Sequence, residues 1–247
     1  MHPNTRRCCG YHRRVTVRRG LGERTSAQLS GTAVTLLVPV GSTEQHGPHL
    51  PLDTDTRIAV AVAGRVAADL GHLPAPAIAY GSSGEHQGFP GTVSIGTEAL
   101  STLLLEYGRS ACHWAARLVF VNGHGGNTEA LRTATGLLRA EGRDAAWCSC
   151  STPGGDAHAG HTETSVLLHL WPRLVRPERA GPGNTEPLAE LMPRLRAGGV
   201  AAVSRSGVLG DPSTATAAAG ETILAAMVSD CAGRIRRWTP DRGGMLT

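Results

Sequence analysis

Apolar residues follow two spacings along the chain, and the two alternate. Residues 32–41, TAVTLLVPVG, are apolar at consecutive positions and predict a strand buried on both faces. From Thr56, TRIAVAVAGRVAADLG changes to helical spacing, with Gly71 as its stop. PAPAIAYG reads as a second strand, opening into the loop SSGEHQGFPGT. TEALSTLLLEYGRSACHWAA is amphipathic, with apolar positions at 100, 103, 104 and 107. RLVFVNGHGGN repeats the first theme of a buried strand ending in a glycine turn, and TEALRTATGLLRAEG follows as a helix. DAAWCSC is a strand, and GHTETSVLLHL begins a helix with Thr162 as its N-cap. RPERAGPGNTEP is a loop, and TATAAAGETILAAMVSDCAGRIRRW closes the chain as a long helix. Strands alternating with helices predict a largely parallel sheet covered by helices on both faces, with no linker or repeat that would divide it.

Composition supports that reading. A chain of 247 residues that is 40% hydrophobic can bury one α/β core, and at 4% aromatic that core is built from Val, Leu, Ala and Ile. Lysine is absent, and part of the net charge of +4 lies in Arg6, Arg7, Arg13, Arg14, Arg18 and Arg19. Tyr11 alone stands among these arginines, short of the aromatic interleaving that single-strand binders need, so the basic segment of residues 1–30 reads as a solvated, partly disordered terminus and not as a nucleic-acid arm. The six cysteines form no CxxC pair. No secretory signal or membrane-length apolar run is seen, and free thiols in a cytoplasmic protein are the simplest account.

The candidate chemistry lies where strands end. In open α/β sheets, ligands bind beyond the carboxyl ends of the strands. The loop after the first strand carries Glu44, His46, His49 and Asp53, with Asp55 entering the next helix; the loop after RLVFVN carries His124. Glu44 and His46, two apart in an extended stretch, point the same way and suit one metal or two adjacent ones. Asp55 at a helix start can bridge two cations, and DAHAGHTETS adds Asp156, His158, His161 and Glu163. Such mixed ligands suit Zn²⁺, Fe²⁺ or Mn²⁺, and a two-ion site activates water for hydrolysis. An E-x-H alone recurs by chance, NGHGG alone is a tight turn, and Asp53 alone is a loop hydrogen bond or outer support. Their shared place after strands favours a metal site.

The ordered motifs PVGSTEQHGPHLPLDTDT, EHQGFPGT, NGHGGN, HAGHTETS and GDPSTATAAAGE resemble the creatininase family of metal-dependent amidohydrolases over roughly residues 34–235. The resemblance implies a three-layer α/β/α fold, a single catalytic domain over residues 31–247, and two divalent ions. The ligands it implies are Glu44, His46, bridging Asp55, His124 and Glu163, with His158 as proton carrier. Creatininase has a glutamate ligand where this chain has Gly126, and Glu163 is the replacement candidate. Gly125 and Gly126 read as an anion nest, and Glu85, His86 and Phe89 as substrate contacts on a lid loop. YHRRV, SGEHQGF and the ending GGMLT resemble a branch of the family that trims a modified ribosomal precursor peptide near its C-terminus. A small cyclic amide or formamide is the alternative substrate. The family also implies homo-oligomers, often hexamers, with neither nucleic acid nor membrane as partner.

Overall fold

A computed structural model describes residues 20–247. The arginines up to Arg19, with Cys8 and Cys9, lie outside the described residues. In chain order the elements are α1 (Ser26–Leu29), β1 (Thr35–Val40), α2 (Thr54–Leu70), β2 (Leu73–Pro74) and α3 (Thr97–Ala111). Then come β3 (Arg117–Asn122), α4 (Thr128–Ala140), β4 (Ala145–Ser149), α5 (His161–Leu170), α6 (Leu188–Gly198) and α7 (Ala217–Arg237). The sheet is four-stranded and wholly parallel, in the order β2-β1-β3-β4.

Alternation along the strands divides the core in two. Leu37, Val119, Val121, Ala146 and Cys148 face one side, where they meet α2, α5 and α7 through Ile58, Val62, Val166 and Leu224. Leu36, Val38, Leu118, Phe120 and Trp147 face the other, against α3 and α4 through Leu100, Leu104, Leu131 and Leu138. The result is the expected α/β/α sandwich. The GGMLT ending covers the free side of β4, where Leu246 N–H donates to the Trp147 carbonyl. Ahead of β1, Leu21 and Leu29 pack on the α3/α4 side of the core.

Two expectations are corrected, and one helix is added. PAPAIAYG is not a continuous strand: only Leu73–Pro74 pairs regularly, and Ile78 makes an isolated bridge to Val40. Pro74 and Pro76 have no N–H, so the segment bonds β1 only through Ala75 and Ile78. The N-cap of α5 is Gly160, with Thr162 already inside the helix, where its N–H donates to Asp156 Oδ1. The added helix is α6, to which the hydrophobic pattern assigned no element; it contains Pro193 and buries Leu191 against Val200 and Leu209.

Candidate metal centre

The loop between β1 and α2 drops Glu44 and His46 beyond the end of the sheet. The first turn of α2 brings in Asp55, and Gly123 at the end of β3 leads into His124. A side chain on Gly123 would sit 2.4 Å from the Asp55 carbonyl, so this glycine lets the start of α2 lie against the neighbouring loop. His158 and Glu163 arrive from the segment entering α5. Ala159 between them has a positive φ of 53°, which turns its N–H onto Glu163 Oε2 at 2.6 Å. Segments far apart in sequence thereby put six titratable groups around one point.

Asp55 is the centre of the arrangement. Its Oδ1 lies 2.9 Å from His46 Nε2, and its Oδ2 lies 3.2 Å from His124 Nδ1 and accepts from Ser42 Oγ at 2.7 Å. Each imidazole is held by a backbone carbonyl on its far nitrogen: Glu44 O for His46 Nδ1, and Ser82 O for His124 Nε2. That pairing orients histidines toward a metal. Glu163 Oε2 stands 3.8 Å from His46 Nε2.

Electrostatics follow from burial. Desolvation raises the Glu44 carboxyl to about 8. Burial opposes protonation of His46 and His124, but Asp55 beside the first and Glu44 and Asp55 beside the second lift both to about 10. Desolvation alone would raise Asp55, and the two histidines instead hold it well below the usual range. Burial raises Glu163 to about 7. His158 lies between His46 and His86, with ring centroids 4.3 and 4.4 Å away. Its burial and these neighbours keep it neutral, well below its ordinary value.

The donor set fits a divalent metal. Both oxygens of Glu44 are buried and accept no well-formed hydrogen bond among the described residues, with His124 Nε2 and His86 Nε2 standing 3.2 and 3.3 Å from them, a setting in which a cation would complete the carboxylate. Glu44, His46 and Asp55 present ligand atoms within 4.8 Å of one another, as do His46, His158 and Glu163. The protons gathered on His46 and His124 occupy places that a metal would take.

The remaining expected residues divide. Glu85 reaches the centre, with Oε1 3.7 Å from His124 Nε2, and buried His86 faces Glu44 Oε1 at 3.3 Å. Gly125 lines a cavity of about 230 Å³ together with Asp55, His124, His158 and Glu163. Gly126 packs beneath His124, against Ser82 O. Phe89 packs instead on Leu191, Val200 and Leu209. Asp53 pairs with Arg57 one helical turn on, at 2.7 Å on the surface, and gives the centre no outer support. Asp156 does support it, by holding the turn that carries Glu163. His49 Nε2 bonds Thr164 Oγ1, and His161 bonds Thr214.

Three polar residues escaped the sequence reading. Asn122 and Asn127 brace the glycine turn: Asn122 Nδ2 donates to His124 O, and Asn127 Nδ2 to Gly41 O. Gln45 lies between two expected ligands, where alternation alone turns its side chain away from the metal. The asparagines that flank NGHGGN were the available signal for the first two.

This fold and this site are those of an amidohydrolase-type metal centre. The family model for creatininase, described as creatinine amidohydrolase, matches residues 23–235, and the chain belongs to that family. Among its relatives is the mycofactocin precursor peptide peptidase of Mycolicibacterium smegmatis strain ATCC 700084 / mc(2)155. That protein is 66% identical over 243 residues, covering 96% of this chain and 98% of the relative. The protein of the same name in Mycobacterium tuberculosis strain H37Rv is also 66% identical, over 247 residues and the same shares. A solved mutant creatininase of Zn-Zn type superposes with a TM-score of 0.74 at 30% identity, covering 91% of this chain and 100% of that one. Among the described residues no helix is long and apolar enough to cross a membrane.

Proposed function

We propose that this chain is a metal-dependent peptidase that cuts an amide bond near the C-terminus of the modified mycofactocin precursor peptide, releasing a Val-Tyr-derived dipeptide. The observation that carries the hydrolase reading is the buried carboxylate of Glu44, which accepts no well-formed hydrogen bond, among His46, Asp55 and His124. Glu44, His46, Asp55, His124 and Glu163 would hold two ions, zinc or iron. When bound, such ions lower the pKa of water and polarise the scissile carbonyl.

The protein's own groups supply the rest. His158 is neutral and turned toward Glu44, with its Nδ1 3.7 Å from Oε1, so it can take a proton from the attacking water and pass it to the leaving amine. The Gly125 amide, at the cavity wall before α4, is placed for a developing oxyanion or a substrate carboxylate. Glu85 stands over His124 from the lid loop, exposed enough to meet substrate.

An open cleft of about 700 Å³ favours a peptide over a small cyclic amide. It adjoins the metal cavity and shares Gly155, Asp156, Ala157 and Thr162 with it. The reading is tested by comparing kcat/KM on the full modified peptide, on peptides shortened from the end distant from the cut, and on creatinine. A peptidase loses kcat/KM as the peptide shortens and leaves creatinine intact. Equal or better turnover of creatinine would overturn the assignment.

A further inference from the structure

Gln45 is 5% exposed and lies between the two ligand candidates Glu44 and His46, and its side chain points away from Asp55 into a pocket of fixed donors and acceptors. Two backbone groups settle which way its amide faces. Gly47 N–H donates to Oε1 at 2.9 Å, and Nε2–H donates to the Gly207 carbonyl at 3.0 Å. The opposite orientation would set an amide NH₂ against the Gly47 N–H and an oxygen against the Gly207 carbonyl.

With the amide fixed, the rings around it follow. His158 Nε2 lies 2.8 Å from the Gln45 backbone carbonyl, which only accepts, so this nitrogen carries a proton. His158 Nε2 is also 3.0 Å from Gln45 Nε2, but as an N–H it cannot accept there. The second Gln45 N–H therefore goes to His86 Nδ1, at 2.8 Å. His86 Nδ1 is an acceptor, and the proton of this neutral ring sits on Nε2, facing Glu44 Oε1 at 3.3 Å. His158 carries its proton on the same atom but turns its other edge, Nδ1, toward Glu44. The burial that keeps both rings neutral agrees with this assignment.

We propose that Gln45 is a positioning residue that holds His86 and His158 in the same Nε2–H tautomer with opposite ring edges toward the centre, so that His158 presents Nδ1 there and His86 presents an N–H. His86 is thereby excluded as a metal ligand, although its ring lies within ligand distance of Glu44 and His158. It acts as a fixed donor toward Glu44 or toward a substrate oxygen. Gly207 belongs to the same device: a Cβ there would lie 1.9 Å from Gln45 Oε1, so a side chain at this position would expel the amide.

The catalytic consequence rests on the hydrolase reading, but the tautomers can be read without substrate. Long-range ¹H–¹⁵N correlation of the ¹⁵N-histidine-labelled full chain, metal-free and zinc-loaded, separates protonated from bare ring nitrogens. His86→Asn and His158→Asn assign the signals. The expected wild-type result is a bare Nδ1 and protonated Nε2 on His86 in both forms, and a protonated Nε2 on His158. A protonated Nδ1 on His86 would overturn the proposal whatever the enzyme's substrate. Gln45→Glu offers His86 only acceptors, so it should move the His86 proton to Nδ1 and lower kcat at least tenfold. KM and zinc content should stay within twofold. Gln45→Met, which imposes no tautomer, should lose less. Retained kcat in a folded Gln45→Glu protein whose His86 tautomer has changed would also contradict it. If neither variant folds, the wild-type spectrum alone decides.

Discussion

Replacing Gly126 by glutamate would place a carboxylate where creatininase has a ligand, and this structure makes it a damaging change. A Cβ at 126 would lie 2.2 Å from Ser82 O, 2.4 Å from His124 Nε2 and 2.7 Å from Glu85 Oε1. Glu85 can swing aside because it is the end of a half-exposed side chain. Ser82 O is backbone and accepts from His124 Nε2 at 2.9 Å, so neither it nor the imidazole can move without disturbing the other. Overpacking of this kind costs about 1–3 kcal/mol. For a chain of this length each kcal/mol lowers Tm by about 2–4 °C, which gives a drop of about 2–12 °C. The assay is thermal unfolding of metal-free Gly126→Ala and Gly126→Glu, with elemental analysis after metal loading and desalting. Both variants should melt lower and retain less metal than wild type, and the glutamate should not rescue what the alanine loses. A Gly126→Glu protein with unchanged Tm and full or tighter metal retention would show that the clash argument is wrong and that the turn has room for a ligand.

Three other outcomes follow from the same geometry. His158→Ala should keep its metal and lose about 10²–10⁴ in kcat, as expected for a proton carrier; a variant that keeps its turnover would remove His158 from the mechanism. Glu163→Gln should retain one equivalent of metal fewer than wild type by elemental analysis, because it is the carboxylate on the His46 side; unchanged stoichiometry would return that role to another residue. The metal-free protein should lose stability as pH rises above 6.5; below it His49 and His86, lowered to about 4 and 3, act the other way. His46 and His124, raised from 6.5 to about 10, stabilise fully below 6.5, and that contribution is lost as pH climbs through 10. Glu44, raised from 4.5 to about 8, acts in the same direction between those values, because the unfolded chain releases its proton first. Metal uptake at pH 7 should then release protons, seen as a calorimetric enthalpy that varies with buffer ionisation heat. A flat stability profile and buffer-independent enthalpy would contradict the assigned charges.

The sheet and its long helices were legible because consecutive apolar runs and helical spacing answer to burial, which these elements undergo on both faces or along one. Gly71 ended α2 as expected, with a left-handed φ of 73°. Where the pattern misled, backbone chemistry had overruled hydrophobicity. PAPAIAYG is apolar enough for a strand but lacks the N–H groups to be one, and α6, with Pro193 inside it and Leu191 fully buried, was not assigned from the pattern. The ligand candidates were visible because each follows a strand or opens a helix. Asp53 looked like an outer support for them, and local helix geometry gave it to Arg57. The orientation of the Gln45 amide was out of reach, since it depends on the carbonyl of Gly207, 162 residues further on. So was the lack of a well-formed hydrogen bond at Glu44, which is set by burial and not by spacing.

The most direct test is to load the full chain with zinc or iron, incubate it with the enzymatically modified mycofactocin precursor peptide, and weigh the products by mass spectrometry. Release of a C-terminal dipeptide-sized fragment, abolished by chelator and by Glu44→Ala, is the predicted result. An intact peptide in the presence of demonstrably bound metal, or cleavage that survives both treatments, would contradict the account.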